Sequence, residues 1–99
     1  MPIVAKVRKS SIRDKKWTVE LLVNNKVIRT IHFGQKGAED FTLHKDPERK
    51  MRYLTRHIAR EDWNNPTTAG FWSANLLWNK PTIKESMDDI ERRFNIVFK

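Results

Sequence analysis

The sequence predicts an α+β domain: a small antiparallel sheet of three to four strands packed with three helices. Three observations lead there. Up to residue 43, apolar and polar residues alternate with the period of a strand, and from 46 to 94 they recur with the period of a helix. Between the two helical patterns lies the most apolar part of a polar chain, residues 66–82, with Pro66 near one end and Pro81 near the other. Thr67 or Thr68 can cap it, and Pro81 cannot continue it, so about three turns of helix are expected. At 100° per residue Phe71, Ala74, Leu77 and Trp78 share one side while Trp72 and Leu76 point elsewhere. A helix apolar nearly all round is buried, so this Trp-rich helix is expected at the centre. The 99 residues make one domain, a β meander over 1–43 and a mainly helical part over 46–94.

Taken in order, Ile3, Ala5 and Val7 alternate with Val4, Lys6 and Arg8, a short strand whose charges suit a sheet edge. An exposed basic loop is expected around Lys9, Arg13, Lys15 and Lys16. Trp17, Val19, Leu21 and Val23 then alternate with Thr18, Glu20 and Leu22. Asn24-Asn25 is a hairpin turn, because Asn tolerates positive φ. The return strand places Val27, Ile31 and Phe33 on one face and Ile28 and Thr30 on the other, and Gly34-Gln35-Lys36-Gly37 ends it in a turn. Residues 40–43 read as another extended piece.

The first helix opens with Asp46 as N-cap, Pro47 at N1 and Glu48 at the positive end of the dipole. Met51, Leu54 and Ile58 form its expected buried stripe. Arg49, Arg52, Arg56 and Arg60 fall within about 80° of one another on the opposite side, a basic ridge. Glu61 to Asn65 is a polar connector with Trp63 folded back on the core. The last helix begins at Thr82, with Glu85 three residues on as in a capping box, and carries Ile83, Met87, Ile90 and Phe94 on one face. Ile96, Val97 and Phe98 add a final strand or dock as a tail.

Hydrophobic residues are 38% and charged residues 32%, so the chain folds but stays strongly solvated. Four Trp and five Phe supply much of the burial. With no Cys, disulfides and thiolate metal sites are excluded. No apolar run reaches the roughly 18–20 residues of a membrane span, and the N-terminus lacks the apolar core of a signal peptide. The reading is a soluble, intracellular protein. The net charge is +8, and residues 1–60 carry fifteen Lys and Arg against six Asp and Glu, whereas 61–99 carry five against six. A basic part joined to a neutral one points to a polyanion-facing side.

No constellation speaks for catalysis. His32, His44 and His57 have no ligand spacing, and no serine lies in a nucleophile elbow. Gly34 and Gly37 lack the Lys-Ser/Thr of a phosphate-binding loop. Asp88, Asp89 and Glu91 read as a solvated helix face. No cofactor and no metal are expected. The arginine ridge is the strongest functional candidate, since arginine pairs with phosphate and a row of them follows a nucleic-acid backbone. Lys50 and Tyr53 flank it, and Lys15, Lys16 and Lys36, with Lys9 and Arg13, extend it if the sheet's loops lie beside this helix. Trp63, Trp72 and Trp78 read as core more readily than as base-stacking platforms, Trp72 least securely.

His44-Lys45-Asp46-Pro47-Glu48-Arg49-Lys50, Arg52-Tyr53, Arg56-His57 and Glu61-Asp62-Trp63 form an ordered block. It continues through Pro66-Thr67-Thr68-Ala69-Gly70-Phe71-Trp72-Ser73 and Leu76-Leu77-Trp78-Asn79-Lys80-Pro81-Thr82 to Ser86, Ile90 and Arg93-Phe94. This block, residues 31–94, resembles a family of small uncharacterised proteins of large nucleocytoplasmic DNA viruses. The resemblance implies a viral origin and a setting in the virus factory or nucleus of an infected host, or in the virion, and transfers no catalytic residue. The expectation is a non-enzymatic basic accessory protein that binds nucleic acid, DNA in the first instance, with little sequence preference. The alternative is a minor capsid-associated protein that docks on acidic viral proteins.

Overall fold

The computed structural model describes residues 2–99. Four strands, β1 (Ile3–Lys9), β2 (Lys15–Val23), β3 (Lys26–Gln35) and β4 (Ile96–Phe98), form one sheet in the order β3-β2-β1-β4. The fold is α+β, as expected, but the sheet is mixed. β1, β2 and β3 are antiparallel, whereas β4 pairs parallel to β1, matching Ile3 with Ile96 and Ala5 with Phe98. β1 is therefore an interior strand and not an edge. The chain reaches β4 through Asn95, which adopts the left-handed conformation (φ 53°) and turns the end of the last helix back along the sheet.

The Asn24-Asn25 turn is as expected, with φ of 52° and 65° between the paired residues Val23 and Lys26. Beyond it the register shifts: Leu22 pairs with Val27, but Leu21 pairs with Arg29, so Ile28 is an extra residue in β3. The bulge overturns the expected face assignment. Val27 lies with Leu22 and Thr30 on the open face, while Ile31 and Phe33 lie with Val19 and Trp17 on the helix-covered face and are buried. Val27 and Ile28 are both half-exposed or more. At the far end of β3, Gly34 takes φ 78°, and an added Cβ there would stand 2.9 Å from Leu77 Cδ1. Glycine is needed for the close approach of strand and helix.

Residues 40–43 are not extended. Asp40 caps a single helical turn, α1 (Phe41–His44), by accepting the Thr42 amide at 3.0 Å. α2 (Pro47–His57) starts where expected, with the Asp46 carboxylate taking the Glu48 amide at 3.0 Å. The apolar hub also starts as expected, with Thr68 Oγ1 accepting the Phe71 amide at 3.2 Å. α3 (Ala69–Trp72) then widens into one turn of π-helix (Ser73–Leu77), closed by the Trp78 amide on the Ser73 carbonyl at 3.1 Å. The wider turn lets Ala74, Asn75, Leu76 and Leu77 all be buried in succession. α4 (Ile83–Phe94) is capped by Thr82 and buries Ile90 against the sheet.

The core joins Ala5, Val19, Leu21, Ile31, Phe33 and Ile96 of the sheet to Phe71, Trp72, Leu76, Leu77 and Ile90. The hub is central, as expected. Trp72, the tryptophan least securely assigned to the core, is fully buried; its indole N–H donates to the Pro66 carbonyl at 2.8 Å, and its ring meets Phe33, Phe71 and Phe98.

Asp89 corrects another expectation. It is buried, and its carboxylate accepts Asn79 Nδ2 at 2.7 Å, Arg93 Nε at 2.9 Å and a bond from Arg92. Arg93 reaches on to Asn75, which holds the Trp63 carbonyl, so the cluster ties α4 to the hub and to the connector. Burial alone would raise the Asp89 pKa, but the bonds from Asn79 and Arg93, the Arg93 charge and the bond from Arg92 outweigh it. They bring it down from 3.8 to about 2. The folded state thus binds a proton less readily than the unfolded chain. The stabilisation is complete above about pH 4 and is lost as pH falls through about 2. It amounts to roughly 2 kcal/mol at neutral pH. Urea denaturation followed from pH 6 to 2 is expected to show a steep acid limb that Asp89→Asn flattens; equal limbs would remove Asp89 from this role.

Candidate nucleic-acid interface

α2 sits on the protein through side chains different from those its periodicity selects. Lys50, Tyr53 and His57 face inward. Met51 is 65% exposed and Ile58 62%, so the expected buried stripe lies largely outside. The helix is turned by roughly a quarter revolution from the expected orientation. The cause is a ring ladder: Tyr53 stacks on Trp78 with centroids 4.2 Å apart and planes 2° from parallel, and His57 stacks on the other side of Tyr53 at 4.1 Å. Flat aromatic overlap together with the inward hydrogen bonds outweighs burial of a methionine and an isoleucine.

The rotation redistributes the arginine ridge. Arg52 and Arg56 stay on the outer face. Arg52 stands 3.9 Å from Glu48, both well exposed, a pair worth little. Arg49 is half-buried and reaches Glu39 at 3.4 Å. Arg60 lies beyond the helix, which ends at His57, in an exposed turn. Lys50 is not available to a ligand: its ammonium donates to the Asn79 carbonyl at 2.6 Å and stands over the Phe41 ring, and burial, then the nearby Lys80, lower its pKa. Lys16 is also committed, donating at 2.8 Å to Asp40, whose side chain is only 4% exposed. The ridge is therefore two outward arginines with two peripheral ones, and two of the eight expected contact residues serve the fold.

The remaining lysines converge elsewhere. A groove of about 590 Å³ opens between the β1–β2 turn, α1 and the start of α4. Lys9, Lys15, Lys36 and Lys45 stand around it, and among the described residues none has a carboxylate within ion-pair distance. The one acid in its lining, Asp40, is taken by Lys16. Its floor is apolar, made by Trp17, Leu43, Pro81 and Ile83, and Leu43 is 61% exposed. Lys15 and Lys36, two of the lysines expected to extend the ridge, thus line this groove, with Lys9 beside them. Lys45 was missed because residues 40–43 do not look helical. Only the α1 turn, ending with Lys45 at φ 56°, brings it to the groove.

A second cleft of about 350 Å³ behind α2 is lined by Tyr53, His57, Glu61 and Ser73 among others. His57 Nδ1 lies 3.0 Å from one Glu61 oxygen, and the Trp63 indole N–H donates to the other at 3.0 Å. Burial, then the Glu61 charge, push the Tyr53 phenol up to about 12, so it keeps its proton at neutral pH. These groups fasten the connector to α2.

Fold and groove define a basic two-layer α+β domain with a cluster of lysines that no carboxylate neutralises, of which Lys45 also donates to the Thr42 carbonyl at 3.0 Å. The chain belongs to a family of unknown function, DUF5754, whose model matches residues 5–57, just over half of the chain. That span holds most of β1 and all of β2, β3, α1 and α2, and with them Lys9, Lys15, Lys36, Lys45, Arg52 and Arg56. Neither the curated proteins nor the solved structures yield a match. No helix among the described residues is long and apolar enough to cross a membrane.

Proposed function

We propose that this is a non-enzymatic, basic accessory protein that binds nucleic acid through phosphate contacts with little sequence preference. One observation carries the reading: Lys9, Lys15, Lys36 and Lys45 are held around one groove with no acid to neutralise them. Like charges gathered at a surface cost free energy unless an anion joins them, and a polymer of phosphates neutralises several at once. Arg52 and Arg56 on the outer face of α2 add further phosphate contacts. The viral resemblance would place this activity in the infected cell.

Binding of a labelled single strand and a duplex, measured from about 50 to 200 mM salt, tests the proposal. Affinity is expected to fall log-linearly with salt. Lys15→Gln/Lys36→Gln should reduce the slope on the single strand by about 1.4, the share of two charges, and Arg52→Ala/Arg56→Ala should reduce it by no more than that. Absence of binding to either nucleic acid at low salt overturns the reading.

A second reading rests on a different observation. Met51 and Ile58 lie exposed on the outer side of α2 together with Arg52 and Arg56. Apolar and basic groups mixed on one helix face suit an acidic protein partner, as in docking on a virion protein. Met51→Glu/Ile58→Glu would abolish such docking and weaken nucleic-acid binding only slightly.

A further inference from the structure

We infer that the lysine-rimmed groove takes an unpaired nucleotide, its base lying over Trp17 and its phosphates between Lys9, Lys15, Lys36 and Lys45. The inference rests on the nucleic-acid reading above and adds the class of strand. Trp17 carries it. The other three tryptophans are engaged within the protein: Trp72 by the Pro66 carbonyl and three phenyl rings, Trp78 by Tyr53, and Trp63 by Glu61. Among the described residues the Trp17 indole, half-buried against the edge of the core, has neither a stacked ring nor a side-chain hydrogen bond.

The sequence explains why Trp17 is there. It stands near the start of β2, on the helix-covered face, paired across to Phe33 on one side and Lys9 on the other. At that end of the sheet the covering layer parts into α1 and the start of α4, and Trp17 becomes the floor of the gap with Leu43 and Ile83. A rim of ammonium groups over an apolar, aromatic floor calls for a ligand that is anionic outside and flat and apolar inside. A duplex meets only half of this: its phosphates reach the rim, but its bases are stacked and paired within, leaving the floor uncovered. An unpaired nucleotide offers both parts, and aromatic stacking on a base tolerates any base because each has a π-face. The groove, about 590 Å³, also falls in the range of pockets that enclose small molecules, about 300–1,000 Å³.

The test compares a short labelled oligothymidine with an abasic strand of the same length and a duplex of the same length, on the wild-type chain. The two single strands carry the same phosphates, so their difference reads the base alone. Oligothymidine is expected to bind roughly tenfold more tightly than the abasic strand, the effect of one stacked base. Trp17→Ala should erase that difference while abasic binding and its salt slope stay as they were, and Trp17→Phe should keep most of it. Because the comparison of strands uses the unaltered protein, it stands even if Trp17→Ala folds poorly. Equal affinity for the two single strands, or a preference for the duplex, overturns the unpaired-base inference and leaves phosphate binding intact. Failure of all three to bind at low salt overturns both. Equally tight capture of a polyglutamate chain, competing fully with oligothymidine, overturns the assignment to nucleic acid.

Discussion

Trp72→Ala is expected to leave the protein close to the limit of folding. The side chain is fully buried at the centre of the core, between the sheet residue Phe33, its neighbour Phe71 and Phe98 of the last strand. Truncation removes its contacts with all three and leaves a cavity where strand and hub meet, for a loss of about 3–5 kcal/mol. A domain of this size has only about 5–15 kcal/mol in total. Trp72→Phe keeps most of the volume but orphans the Pro66 carbonyl, now bonded at 2.8 Å, and is expected to cost about 1–3 kcal/mol. Urea midpoints should therefore fall in the order wild type, Trp72→Phe, Trp72→Ala. A Trp72→Ala variant with an unchanged midpoint and reduced nucleic-acid binding would make Trp72 a contact residue after all.

Lys16→Met and Lys15→Met, neighbours in sequence, are expected to fail in opposite ways. Lys16 is 16% exposed and neutralises Asp40, 4% exposed, which also holds Thr42 and starts α1. Removing the ammonium leaves a buried carboxylate without its counter-charge, a loss of about 3 kcal/mol. Part of α1, and with it the position of Lys45 and Leu43 at the groove, should loosen as well. Lys15 touches no carboxylate, so Lys15→Met is expected to change stability by no more than about 0.5 kcal/mol while lowering the salt slope of nucleic-acid binding by about 0.7 on a single strand. Thermal denaturation and a salt series on the two variants check both halves. A stable Lys16→Met with a lowered slope would return Lys16 to the interface and leave Asp40 unexplained.

The two lysines illustrate why the candidate site was only half legible in the sequence. Charge density singles out residues 1–60, and that is where the lysines of the groove and the outward arginines lie, although Pro81 and Ile83 complete its floor. The linear chain carries no sign that tells Lys15 from Lys16, because the difference is made by Asp40, 24 residues away. Lys50 was misread for the same reason: its partner is the Asn79 carbonyl, 29 residues on. Trp17 reads as an ordinary strand residue, and only the gap between α1 and α4 leaves it half-buried at the groove.

What the sequence determined by itself are the features decided within a few residues of backbone. Asn24-Asn25 makes its hairpin turn, Asp46 and Thr82 cap their helices, and the hub starts at one of Thr67 and Thr68 (Thr68 in the structure) and stops short of Pro81. The α+β class follows from the same local signals, since strand and helix periods are written into the order of apolar residues. The tertiary structure alone decided what those elements meet. Periodicity tells that two sides of α2 differ but not which one is covered, and the Tyr53–Trp78 stack settled that against the stripe of Met51 and Ile58. The bulge at Ile28, the parallel β4 and the π-turn at residues 73–77 likewise answer to packing across the core, where side chains far apart in sequence must fill one volume without voids.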